Sequence, residues 1–240
     1  MRNILLEIEY DGTDYSGWQY QPQKKTIQGT IENGLKKILH EPISLVGASR
    51  TDAGVSALCQ CANFLTAGRL PVKAIQAALN SLLPSDIYIK KAYGVHLLFN
   101  ARFSAQSKIY RYQIIPGRSP LQQRFAWELN YPLDGFKMER AAQLFIGEKD
   151  FRPFCDITNN QIEGTVRVID LKVLVDGNTV ILIEANRFLY KMVRRIVGCL
   201  VEVGRGKITK NDIIKRISGK SHQSFMVAPA PGLILLNVKY

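Results

Sequence analysis

The sequence predicts a mixed α and β protein whose two halves are built from the same element types. Three patterns carry that expectation. Runs such as residues 4–10 alternate apolar and polar side chains, the mark of a strand with one buried face. Ile27, Ile31, Leu35, Ile38 and Leu39 recur at helical spacing. Asp176-Gly177-Asn178 joins two alternating runs as a hairpin turn would. Each half holds strands and two helices, consistent with a duplicated architecture, and no short-period repeat or low-complexity tract interrupts them.

The elements follow in order. Ile4, Leu6, Ile8 and Tyr10 share one face of a first strand, with Glu7 and Glu9 on the other. Asp11-Gly12-Thr13-Asp14 is a turn, and Tyr15-Ser16-Gly17-Trp18-Gln19 an aromatic loop suited to a buried corner or to base stacking. Thr26 caps the first helix, and Lys36 and Lys37 suit the dipole in its last turns. Strands are expected over 43–46 and 55–64. Pro71 opens a second helix with Val72, Ile75, Leu79 and Leu82 on one side. A strand over 86–95 follows. Residues 107–115 place Lys108, Tyr110 and Tyr112 on one strand face, either a surface for nucleic acid or ordinary β-propensity. Pro116-Gly117-Arg118-Ser119-Pro120 is the best linker candidate. Beyond it come a strand over 126–131, a helix from Asp134, the hairpin strands 166–175 and 179–184, and a helix over 189–203. Thr209 and Asp212 form a capping box for a last helix, and residues 232–240 a closing strand. A division into halves 1–105 and 106–240 results.

Composition narrows the function classes. The chain has 240 residues, 46% of them hydrophobic, enough for a sizeable core. Its formal net charge of +12 points to an anionic partner, with nucleic acid the default. No apolar run approaches the roughly 20 residues that cross a bilayer, and the start of the chain turns polar at Glu7 and Glu9, unlike a signal peptide. A cytoplasmic protein without membrane attachment is expected. Cys59, Cys61, Cys155 and Cys199 form no Cys-x-x-Cys pair, so buried free thiols are expected. His40, His96 and His222 are too scattered to signal a metal site or a histidine-based triad. Gly204-Arg205-Gly206-Lys207 lacks the Ser or Thr of a phosphate loop, having Ile208 instead. No cofactor or metal is called for.

The chemistry concentrates in Gly47-Ala48-Ser49-Arg50-Thr51-Asp52-Ala53-Gly54-Val55. In extended backbone Arg50 and Asp52 share a side while Thr51 turns away. A guanidinium so placed favours an ionised carboxylate, and small neighbours leave room for a large group to approach. A turn or a surface ion pair fits the same residues. Arg187, Lys191, Arg194 and Arg195 gather near one helix start, either a phosphate-tracking stripe or a solvated flank.

Arg50-Thr51-Asp52-Ala53-Gly54-Val55 resembles the RTDAGV signature of the TruA-type tRNA pseudouridine synthases, and the likeness extends along nearly the whole chain. It includes Lys108-Ile109-Tyr110-Arg111-Tyr112, Ala101-Arg102-Phe103-Ser104-Ala105, and Asn186-x-Phe188-Leu189-x-x-Met192-Val193-Arg194-x-x-Val197-Gly198. Ser49, Ser56 and Asn100 depart from the family's usual Gly, His and His. The resemblance implies an α+β pseudouridine synthase fold: two similar halves with mixed, largely antiparallel sheets joined centrally, helices on the outer faces, and the active cleft between the halves. It implies a cofactor-independent isomerase acting on the 3′ side of the tRNA anticodon arm, at tRNA positions 38, 39 and 40, and working as a homodimer. It makes Asp52 the catalytic carboxylate and Arg50 its partner. Tyr110 stacks on the uracil, Leu233 forms an apolar wall, and Arg187, Lys191, Arg194 and Arg195 bind substrate. Alternatives are a catalytically silent RNA-binding protein with the same basic surface and a carboxylate-metal nuclease using Asp11, Asp14 and Asp52.

Overall fold

The computed structural model describes residues 1–156, 163–221 and 224–240, so His222 lies outside the described residues. The chain forms two compact units, residues 1–106 with 235–240, and residues 107–234.

The first unit is a sheet carrying two helices. β1 (Arg2–Tyr10) runs antiparallel to both its neighbours, β3 (Ser56–Thr66) and β4 (Ile87–Val95). α1 (Ile27–Leu39) and α2 (Val72–Leu82) supply the other half of its core. Ile4, Leu6 and Ile8 of β1, Ile27, Ile31 and Leu35 of α1, and Ile75 and Leu79 of α2 are all fully buried. Each such side chain contributes about 1.5–3 kcal/mol by leaving water. The Thr26 hydroxyl accepts the Gly29 N–H, and the cap is completed at the far end by His40 in the left-handed region. α2 is stitched to β4 where the register slips: the Asn80 side chain accepts from the Ile89 N–H at 2.8 Å and donates to its carbonyl at 3.0 Å.

The expected strand over 43–46 shrinks to β2 (Val46–Gly47), paired with Asn63 and Ala62 of β3. The reason lies on α1. The Leu45 N–H donates to the Glu32 carboxylate and its carbonyl accepts from Gln28, so helix side chains take the groups a neighbouring strand would bind.

The second unit is again antiparallel in its main run. β5 (Ser107–Pro116) pairs with β9 (Asn178–Ala185), β9 with β8 (Thr165–Asp176), and β8 with β7 (Gly147–Asp150). β6 (Trp127–Leu129) adds one parallel pair on β5. The hairpin turns at Gly177 with φ +66°, the left-handed value that glycine adopts without a side-chain clash. The α-helices among the described residues of this unit are α3 (Gly135–Ala142), capped by Asp134, α4 (Met192–Gly204), and α5 (Lys210–Ile217), which has the expected capping box. β10 (Leu233–Lys239) ends the chain, and its residues from Leu235 on lie beside β3 in the first unit. The architecture is the expected α+β one, mixed and largely antiparallel.

Two further expectations change. Pro116–Pro120 is no linker between units. It is a turn inside the second, with the Gly117 N–H donating to Leu129 O and the Ser119 N–H to the Glu128 carboxylate. The helix expected from 189 begins at Met192, because Lys191 has φ 57° and cannot continue a right-handed helix.

Candidate active site

The Asp52 loop is held at every turn by backbone and buried side chains. Exposure alternates through it: Arg50 exposed, Thr51 buried, Asp52 half-buried. The Thr51 hydroxyl lies 2.8 Å from the Tyr10 hydroxyl, and the Thr51 carbonyl accepts the Trp18 N–H at 3.0 Å. The Val55 N–H donates to the Asp52 carbonyl at 3.1 Å, closing a turn with Gly54 at φ 77° and Ala53 at negative φ, a type II arrangement. The Gly54 N–H reaches the Tyr15 carbonyl.

Neighbouring segments form the frame. Gln60 of β3 is fully buried, donates to the Ser49 carbonyl at 2.7 Å and accepts the Ser49 N–H at 3.2 Å. Gly17, at φ 91°, presses on the back of the loop, and a Cβ there would stand 2.7 Å from the Thr51 carbonyl oxygen. Trp18 lies against Gly47, where a Cβ would meet its ring nitrogen at 2.4 Å. Tyr15 and Trp18 are both buried, so the aromatic loop is the corner rather than a stacking platform. Tyr15 donates to Asp86 at 2.6 Å, and burial, then that carboxylate, push its phenol well above the ordinary value.

The residues that depart from the family pattern have structural work of their own. The Ser56 hydroxyl accepts the Gly12 N–H at 3.0 Å. The Asn100 carboxamide accepts from the Arg102 and Phe103 N–H groups and caps the turn that carries Ala101-Arg102-Phe103.

In the second unit Tyr110 sits on β5 opposite Ile183, 4% exposed. Phe188 meets it edge to face at 5.0 Å. Lys108 and Tyr112 on the same face are buried too, so this face belongs to the interior. The Tyr112 hydroxyl donates to the Pro229 carbonyl at 2.8 Å, and Gly232 lies on its ring with room for no Cβ. Buried Leu233 is thereby seated next to β5, its N–H on the Ala230 carbonyl.

The four cations are engaged within this unit. Arg187 binds the Glu163 carboxylate at 2.9 Å, and its guanidinium also donates to the Glu163 carbonyl. Lys191 and Arg195 both donate to Asp156, Lys191 at 2.7 Å. Burial opposes ionisation of Asp156, yet hydrogen bonds from Lys191 and Arg195 outweigh it and hold the carboxyl below its ordinary range. Arg194 donates to the Ala228 carbonyl at 2.7 Å. The structure thus gathers Tyr110, Phe188 and the Arg187–Arg195 segment in one unit, and Arg50 and Asp52 in the other.

A family model described as tRNA pseudouridine synthase matches residues 7–104 and 141–240. The tRNA pseudouridine synthase A of Caldicellulosiruptor bescii is 46% identical over 245 residues, covering 100% of both chains. The chain belongs to the tRNA pseudouridine synthase family. Further full-length relatives bear the same name: that of Geotalea uraniireducens is 45% identical over 245 residues and that of Acetivibrio thermocellus 43% over 254, with 100% of each chain covered. The synthase is therefore an isomerase that makes pseudouridine from uridine in tRNA.

Sequence reasoning about the synthase missed Gln60, Gly17 and Asp156. A polar residue at an inward strand position was the available signal for Gln60. Nothing local marks Gly17 or Asp156, because their partners are distant in sequence. No group of three His, Cys, Asp or Glu side chains among the described residues is arranged to hold a metal ion. No helix among them is long and apolar enough to cross a membrane.

Proposed function

We propose that Asp52 is the carboxylate on which pseudouridine formation depends, and that the synthase acts on uridines on the 3′ side of the tRNA anticodon arm. The observation carrying this reading is the Arg50-Thr51-Asp52-Ala53-Gly54-Val55 sequence on a loop clamped from four directions. A fixed, half-buried carboxylate is what a covalent or electrostatic catalyst needs, since its position is settled before substrate arrives.

The isomerisation breaks the N1–C1′ bond, turns the uracil and forms a C5–C1′ bond. The C5 proton leaves and N1 gains one, so the reaction balances without a cofactor. The target base leaves the helical stack, which costs about a few kcal/mol. Arg50 fills the gap left by the everted base. Tyr110 stacks on the uracil, and Leu233 closes the apolar side. Arg187, Lys191, Arg194 and Arg195 contribute contacts to RNA phosphates, supported by the excess of cations over carboxylates in that segment. The synthase works in the cytoplasm as a homodimer.

Release of tritium from tRNA labelled at uracil C5 tests the reading. Wild type is expected to release tritium, and Asp52→Ala to release none while binding tRNA nearly as well. A wild type that binds tRNA and releases no tritium makes it a silent RNA-binding protein. Pseudouridine mapping in tRNA from cells lacking the protein tests the site, which should lose the modification in the anticodon arm and keep it elsewhere.

A further inference from the structure

Glutamine is an uncommon occupant of a sealed strand position. Gln60 of β3 is 0% exposed, and Ala62 and Phe64, which share its face, are buried too. Its backbone pairs with Ile8 of β1 on one side. On the other side the ladder to β2 ends. Val46 is paired with Asn63 and Gly47 with Ala62, and the Ala48 N–H donates to the Cys61 carbonyl at 2.8 Å. The same count sets Ser49 opposite Gln60. There the side chain takes over from the backbone. Its carboxamide nitrogen donates to the Ser49 carbonyl at 2.7 Å, and its oxygen accepts the Ser49 N–H at 3.2 Å. That oxygen also accepts the Cys61 N–H at 3.2 Å.

A backbone rung would hold Ser49 about 4.8 Å from β3. A carboxamide carried on two methylenes holds it farther out. The chain therefore leaves the sheet at Ser49 and turns through Arg50, Thr51 and Asp52. Both backbone groups of Ser49 are matched at once, a donor to an acceptor and an acceptor to a donor, so its position and its orientation are set together. Ser49 has a negative φ. A β-carbon there costs no backbone strain, which is why serine fits where the family's usual residue is glycine.

We propose that Gln60 is a positioning residue for the Asp52 carboxylate, setting where the loop leaves the sheet and through it the rate of the chemical step. The inference rests on the reading of Asp52 as the carboxylate that the reaction needs. Gln60 is sealed from solvent, so it acts through the loop and not on RNA. The clamp requires one donor and one acceptor on the same side chain. In Gln60→Glu the protonated form supplies both, an O–H for the Ser49 carbonyl and an oxygen for the two N–H groups. The ionised form only accepts, and it repels the Ser49 carbonyl. Burial disfavours the ionised form and raises the pKa of the introduced acid. The loop of this variant is therefore held in its native place at low pH and released as pH rises.

The test measures kcat for tritium release and Kd for tRNA between about pH 6 and about pH 9, each protein below its thermal midpoint. Gln60→Met keeps the length of the side chain and removes both bonds to Ser49. Its kcat should fall about a hundredfold throughout, with Kd changed far less. For Gln60→Glu the ratio of its kcat to that of wild type should fall about tenfold or more from the acidic to the basic end. The proposal is overturned if Gln60→Met keeps the wild-type kcat and loses only thermal stability, if its affinity falls in step with its rate, or if the Gln60→Glu ratio is flat. Should one variant fail to fold, the other decides. Failure of both assigns Gln60 to the fold as a whole and overturns the proposal. Asp52→Ala, assayed alongside, separates the two readings. A silent Asp52→Ala beside fully active Gln60 variants removes this inference alone, whereas an active Asp52→Ala removes the reading beneath it as well.

Discussion

Gly17 and Thr51 show how far the placing of one carboxylate reaches into the fold. Thr51 is buried, and both its hydroxyl and its carbonyl are bonded, so Asp52 inherits a fixed backbone on its N-terminal side. Gly17 backs that backbone too closely for any Cβ and has a φ that other residues rarely adopt. Gly17→Ala should therefore displace the loop rather than merely strain it. A displacement of about 1 Å costs on the order of a hundredfold in rate. The expected outcome is a kcat for tritium release lowered by about that factor, with tRNA affinity changed far less. Loss of affinity in step with rate would place Gly17 in RNA binding instead. Thr51→Val removes one hydrogen bond from the same frame and should lower stability by about 1 kcal/mol, read as a shift in thermal midpoint.

Among the elements, the start of α4 is fixed by a residue that belongs to none of them. Asp156 follows the short turn of Arg152–Phe154 and receives Lys191 and Arg195 together. Lys191 sits in the left-handed region where the helix begins, and Arg195 also reaches the Phe225 carbonyl at 3.3 Å. Asp156→Asn leaves two half-buried cations without their counter-charge and should lower the thermal midpoint at pH 7. The pH dependence has a definite sign. The Asp156 carboxyl is held below its ordinary range in the folded protein. Its stabilisation is therefore full above the unfolded value, near ~3.9, and is lost as pH falls through the lower folded value. Wild type and Asp156→Asn should converge in stability on acidification below about pH 4. A gap that stays constant to lower pH would show that charge is not the cause.

At the scale of the whole molecule the dominant property is charge. With 32 Lys and Arg against 20 Asp and Glu, association with tRNA should weaken steeply with salt. The slope of log Kd against log salt should be about 0.9 for each duplex phosphate contacted. Arg187→Ala and Arg194→Ala should each lower that slope if these side chains reach phosphate, and leave it unchanged if they serve only Glu163 and Ala228. Filter-binding over a salt series separates the two. The assignment of residues from Leu235 on to the first unit is another property of the whole. Residues 232–240 read as a strand from their alternation, but alternation carries no information about which neighbour a strand will choose.

Period and punctuation were enough for most elements. The Thr26 cap, the Pro71 helix start, the Gly177 hairpin and the Thr209–Asp212 box are local devices, complete within a few residues, and the structure holds all four. The signature around Asp52 was likewise legible, because the residues it needs are contiguous. The shortening of β2, the late start of α4 and the interior placement of Lys108 and Tyr112 were not, since each depends on what the rest of the chain brings alongside. By itself the sequence determined which segments become strands and helices, the basic charge and the family. The tertiary structure alone decided that Tyr10, Trp18 and Gln60 converge on the Asp52 loop and that Asp156 takes both Lys191 and Arg195. Hydrogen bonds and close packing act over a few ångströms of space, whatever the distance along the chain.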